Sequence, residues 1–199
     1  MPSEGNAMRN HPNPREPSLY DATPGTQLYA VGSKGKAWRL CTGLVRFDTI
    51  ASDGNATFAS LAIAGDILGC ETLLFGCYTF RATALTHCRL TPWPEGATAI
   101  DSTSLLASLA NAQQRAADLV ALRGGQAANR VLSLIRLLSD GAGRVVLPTR
   151  QDIADITDLR FETISRIIKV LERTKVLTPV RIEGVHATRS FQTNLVLAA

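Results

Sequence analysis

In the run Thr149-Arg150-Gln151-Asp152-Ile153-Ala154 the residues follow the grammar of a helix start. Thr149 can cap the first turn, and Asp152, three positions on, places an acid where the helix N-terminus favours one. The spacing predicts a first helix to about Ile156, with Ile153 and Ile156 apolar and Ala154 small where a second helix can cross it. Thr157-Asp158-Leu159 then makes the turn of a helix-turn-helix. Asp158 stands in for the usual turn glycine, because aspartate adopts the left-handed conformation more readily than most residues with a side chain. A second helix is predicted over Phe161 to Arg173. Ile164, Ile167, Ile168 and Leu171 recur at the interval of one buried face, leaving Glu162, Ser165, Arg166 and Lys169 outside.

That outer face carries chemistry suited to DNA. Glu162, Ser165 and Arg166 stand at i, i+3 and i+4, so they share one side of the second helix close to its N-terminus. An arginine there can make two hydrogen bonds to guanine O6 and N7, a glutamate can accept from a cytosine or adenine amino group, and a serine can touch a thymine methyl or a phosphate. Arg150, Lys169 and Arg173 suit phosphates better than base edges. Thr149, Arg160, Phe161 and Thr163 complete the expected phosphate and outer-base contacts. Periodicity alone leaves a plainer reading open, since any amphipathic helix pair carries its charges outside.

Upstream, Ser102 to Arg123 holds neither proline nor glycine and predicts one long helix. Leu105, Leu109, Ala112, Ala116 and Leu119 are spaced 4, 3, 4, 3, the seam of a two-stranded coiled coil with small residues where two helices approach closely. The same residues could instead lie on the chain's own strands. Gly124-Gly125 breaks the helix. Gln126 to Leu138 predicts another, with Val131, Leu132, Ile135 and Leu138 on one face, and Val145 to Leu147 a short strand.

Between Leu19 and Pro94 the texture is different. Short apolar runs (Gln27 to Val31, Trp38 to Leu40, Leu44 to Phe47, Phe58 to Ile63, Ile67 to Leu68, Phe80 to Leu85, Arg89 to Leu90) are punctuated by Pro24-Gly25, Asp53-Gly54 and Gly65-Asp66. Such spacing predicts an antiparallel sandwich or barrel. The chain is therefore expected to be α+β: a leader without order over 1–18, a β-barrel domain over 19–101, a dimerisation helix over 102–124, and a winged helix-turn-helix over 125–199.

Composition fits a folded protein with room for packed cores, at 199 residues and 45% hydrophobic content. No run of about 18 apolar residues and no secretory core is present, which points to the cytoplasm and away from a membrane. Of the formal net charge of +4, a surplus of three lies between Arg144 and Ala199, with nine Lys/Arg against six Asp/Glu. The basic end is thus the end that holds the helix-turn-helix. Cys41, Cys70, Cys77 and Cys88 include no C-x-x-C pair, which argues against a disulfide framework or a standard zinc site.

The Thr149 to Ala154 run, followed by Glu162-Thr163-Ile164-Ser165-Arg166, resembles the signature of the CRP/FNR family of bacterial transcription regulators, and the Glu-x-x-Ser-Arg face resembles its FNR branch. Phe161 stands where the CRP branch has arginine. Gly43-Leu44-Val45-Arg46-Phe47, Asp53-Gly54 and Gly65-Asp66-Ile67-Leu68-Gly69 are similar to the strands and turns of the family's sensory domain, a jelly roll like that of cyclic-nucleotide-binding proteins. The resemblance spans about Tyr20 to His186 and implies a homodimer on a palindrome with TTGAT-like half-sites. It further implies a wing over Val180 to His186 and RNA polymerase as a partner at promoters.

The same resemblance speaks against the family's usual effectors. Cyclic-nucleotide binders carry a glutamate where this chain has Cys70, and an Arg-Ser pair where it has Arg81-Ala82. Iron–sulfur members cluster cysteines near the N-terminus, and Met1 to Leu40 has none. No cofactor and no effector are therefore expected. A redox- or haem-responsive sensor built on Cys70, Cys77, His87 and Cys88 is the alternative, although His87 and Cys88, as strand neighbours, would face opposite ways. A metal enzyme in the barrel is a further alternative, but His11, His87 and His186 fall in three different segments.

Overall fold

The computed structural model describes residues 19–93, 102–182, 185–186 and 189–195. The expected leader over 1–18 lies outside them. Eight strands form the N-terminal part: β1 (Tyr20–Ala22), β2 (Gln27–Tyr29), β3 (Ala37–Thr42), β4 (Leu44–Ile50), β5 (Ala56–Ile63), β6 (Ile67–Leu68), β7 (Arg81–Ala84) and β8 (Cys88–Trp93). They make two antiparallel four-stranded sheets, ordered β1-β8-β3-β6 and β2-β7-β4-β5, so the expected barrel is an open two-sheet roll. Between the sheets, Leu40, Val45, Leu68, Ala82, Ala84, Cys88 and Leu90 bury their side chains, and alternation along β7 follows from the period of two. Tyr29 stacks on Tyr78 with ring centroids 3.7 Å apart. Within this part, the elements without a sequence signal are β1, which is three residues long, and α1 (Thr72–Phe75), a single turn closed by Gly76 in the left-handed region at φ 73°.

The long helix α2 (Ser102–Ala121) leads to Gly125, whose φ of 75° favours a residue without a Cβ. There follow α3 (Ala127–Leu138), β9 (Arg144–Val146), α4 (Arg150–Thr157), α5 (Phe161–Arg173), β10 (Leu177–Pro179) and β11 (Ser190–Thr193). The last three strands form a sheet ordered β10-β11-β9. The hairpin arms are thus β10 and β11, flanking the expected Val180 to His186 rather than lying within it, because pairing runs from Leu177↔Thr193 to Pro179↔Phe191. Of the span between them, 183–184 and 187–188 lie outside the described residues.

A second core joins the two parts. Leu44, Leu61 and Leu85 of the roll cluster with Leu122 from the chain just beyond α2, with Leu134 and Ile135 of α3, and with Ile153, Ile156, Ile164, Ile168 and Phe191. The helix-turn-helix is therefore packed onto one face of the roll by apolar burial, the dominant favourable force in folding.

Candidate nucleic-acid interface

The geometry of α4 and α5 is built from caps and packing. Thr149 accepts a hydrogen bond from the Asp152 backbone N–H at 3.1 Å, and the Asp152 carboxylate accepts one from the Thr149 backbone N–H at 3.2 Å, a complete capping box. Asp158 ends α4 in the left-handed region at φ 53°, as its place in the turn predicts. The Leu159 backbone N–H then donates to the Ala154 carbonyl at 3.1 Å. Ile164, Ile168 and Leu171 are buried and Ile167 is half-buried, so α5 faces inward with the phase read from the sequence.

Its opposite face is open. Glu162 and Arg166 are exposed and Ser165 is half-buried beside them. Among the described residues, no hydrogen bond or ion pair engages the Glu162 or Arg166 side chain. Arg160, Phe161, Lys169 and Arg173 are also exposed, whereas Thr163 is half-buried. Phe161 leaves 47% of its surface to solvent at the head of the helix. Thr149 is exposed at its cap. Arg150 is half-buried, and burial draws its guanidinium pKa below the ordinary value; Glu172 opposes that shift and Arg189 adds to it. The outer face of α5 thus presents exposed cations around Glu162, Ser165 and Arg166.

The expected dimer seam divides. Leu109, Ala112 and Ala116 are exposed, but Leu119 is half-buried and packs against the chain's own core, one turn before the buried Leu122. The roll covers that side of α2: Arg115 lies 3.5 Å from Asp66 in the turn before β6. Among the described residues, the large apolar side chains that α2 exposes are Leu106, Leu109 and Val120. The side chain of Leu105 lies outside the described residues.

The candidate sensor residues do not gather. Cys88 is buried between the sheets, where burial pushes its thiol pKa up, while His87 is exposed, Cys77 half-buried and Cys70 exposed. Among the described residues no group of three His, Cys, Asp or Glu is arranged to hold a metal. Arg81, which stands at the family's Arg-Ser position without the serine, donates from Nη2 to Asp48 Oδ2 at 3.0 Å, and Asp48 is 1% exposed. Sequence reasoning passed over Asp48 and its second partner, Arg46. The available signal was a charged pair at i, i+2 in an otherwise apolar strand, since that spacing puts both on one face.

No family model matches the chain. It is 31% identical over 160 residues to the nitrogen fixation regulation protein FixK of Rhizobium meliloti (strain 1021), covering 77% of this chain and 75% of that protein. A FixK protein of Bradyrhizobium diazoefficiens is 28% identical, covering 75% and 73%. Among solved structures, FixK2 from Bradyrhizobium japonicum shares the fold with a TM-score of 0.65 at 24% identity, over 91% of this chain and 95% of that one. A CRP-family transcriptional regulator from Thermus thermophilus does so with a TM-score of 0.64 at 22% identity, over 89% and 93%.

Proposed function

The chain belongs to the CRP/FNR family of transcription regulators, and from that premise we propose that it is a homodimer reading a palindrome with TTGAT-like arms through Glu162, Ser165 and Arg166. The observation that carries this reading is the free Glu-Ser-Arg face on α5, held out while Ile164, Ile168 and Leu171 fill the core. Arg166 addresses a guanine, Glu162 an amino group on the pyrimidine or adenine edge, and Ser165 a thymine methyl or phosphate. Thr149, Arg150, Arg160, Phe161, Thr163, Lys169 and Arg173 surround that face as phosphate and outer-base contacts.

The two copies meet along α2. With Leu119 given to the chain's own core, the seam keeps Leu109 and Ala116 and shifts at its other three positions to Leu106, Gln113 and Val120, spaced 3, 4, 3, 4 and all exposed. Gln113 is then a polar residue in the seam, a device that fixes register and oligomer state at some cost in stability. The roll works without a cyclic nucleotide, because Arg81 is held by Asp48 and Cys70 supplies no carboxylate. RNA polymerase is its partner at the promoters it occupies, in the cytoplasm; no helix among the described residues is long and apolar enough to cross a membrane.

Selection from a pool of randomised duplex DNA, with no ligand added and near-physiological salt, tests the reading. A two-fold palindrome with TTGAT-like arms is the expected product, and Arg166→Ala should lose the arm preference while the protein remains folded and dimeric. An unchanged preference in that variant would sink the assignment.

A further inference from the structure

The roll and the helix-turn-helix are joined by a run of charges. Arg46 of β4 donates from Nε to Asp48 Oδ1 at 2.7 Å and from Nη1 to Asp155 Oδ2 at 2.7 Å, and the same Nη1 lies 3.4 Å from Asp152 Oδ1. Asp48 is anchored on its other side by Arg81. The Arg46 side chain is 13% exposed, and its guanidinium also lies over the Phe58 ring at 5.6 Å. Arg123, just beyond α2, stacks on the same ring at 5.2 Å and donates to the Asp155 and Ile156 carbonyls at 3.0 and 3.2 Å. Helix α4 is thus held from the roll by its side chains and from the dimer helix by its backbone.

We propose that Arg46 is a positioning residue for DNA recognition: by gripping Asp152 and Asp155 it fixes the angle of α4, and of α5 packed on α4, relative to the dimer helix. This rests on the DNA-reading function proposed above. A palindrome is recognised only when two reading helices sit one helical repeat of DNA apart, so a rotation of each helix-turn-helix on its roll changes their spacing without touching a base-reading side chain. The apolar core beneath α4 resists separation but, being non-directional, does little to fix rotation. The fork of Arg46 supplies direction, since one planar guanidinium meets carboxylates on two elements at once, a geometry that a lysine cannot reproduce.

The experiment compares the full-length wild type with Arg46→Met, Arg46→Lys, Asp155→Asn and the Met/Asn double variant. Each is bound to the selected palindrome, to palindromes whose arms are moved together or apart by a base pair, and to arms with altered bases. Hydrogen exchange of α4 is followed in the DNA-free proteins. Arg46→Met should weaken binding to the selected palindrome by about tenfold and flatten the preference for arm spacing, with preference among bases within an arm unchanged. Lysine should restore part of the affinity but little of the spacing preference, and the double variant should be no worse than Arg46→Met. Exchange over residues 153–157 should quicken by about tenfold without DNA. Spacing preference retained in Arg46→Met, with exchange at the wild-type rate, would overturn the proposal. Loss of base preference in the wild type would instead overturn the reading of α5, and the exchange measurement would still decide the role of Arg46.

Discussion

Helix α5 and the roll treat their arginines in opposite ways. On α5, Arg166 and Arg173 are exposed, and no hydrogen bond or ion pair with a described residue engages the Arg166 side chain. On the roll, Arg46 and Arg81 converge on one buried carboxylate, Asp48. An arginine held by a buried carboxylate has fewer donors left to offer a ligand, whereas an unengaged one bears the entropy of a mobile side chain until a partner arrives. The contrast separates residues that hold the fold from residues left open to a ligand, and each kind of substitution should disturb a different observable.

The largest effect is expected where the building is densest. Asp48→Ala removes the carboxylate between two guanidiniums: Arg81 loses the carboxylate that holds it, and Arg46 loses its Nε partner while keeping Asp155 and Asp152. Loss of one partner from such a pair should cost about 3 kcal/mol of stability, measured by denaturant unfolding of the wild type and variant. A loss under about 0.5 kcal/mol would mean that water already satisfies these groups and that the buried pair adds little.

A matched pair of substitutions sharpens the comparison. Arg166→Ala should remove about 1–3 kcal/mol of discrimination at one base pair of each arm and leave the unfolding midpoint unchanged. Arg81→Ala should do the reverse, lowering stability by about 1 kcal/mol, since its side chain is 33% exposed and solvent screens the pair, with base preference intact. Binding of the two variants to a panel of single-base operator changes, alongside thermal melts, makes the test. A crossed result, in which Arg81 sets base preference, would erase the distinction.

The same contrast explains what could be read from the residues alone. Helix α5 was legible to its ends because Ile164, Ile167, Ile168 and Leu171 mark a single face, and Asp158 could be placed in its turn because few other residues adopt that conformation cheaply. The phase of α2 was not. Leu105 or Leu106, Ala112 or Gln113, Leu119 or Val120 each offer an acceptable seam residue, and which side of the helix faces the chain's own core emerges only from the packing of Leu119 and Leu122 beneath the roll. The two-sheet form of the roll and the Arg46 grip on α4 were hidden for a related reason. Both arise from residues distant in the chain, more than a hundred positions apart in the case of Arg46 and Asp155, and no local pattern encodes which strand will meet which helix.

The smallest effect joins the two regions at one carboxylate. Asp152 turns one oxygen toward the Thr149 backbone N–H and hydroxyl, as helix cap, and the other toward Arg46. Thr149→Ala should therefore cost about 1 kcal/mol through loss of the cap, and Thr149→Ser, which keeps the hydroxyl, should cost much less. If the cap also holds Asp152 in place for Arg46, the losses in Thr149→Ala and Arg46→Met should be non-additive, because residues sharing one hydrogen-bond network couple. Denaturant unfolding of the two single variants and the double variant measures that coupling. Strict additivity would mean that the cap and the inter-domain grip act independently, with Arg46 relying on Asp155 alone.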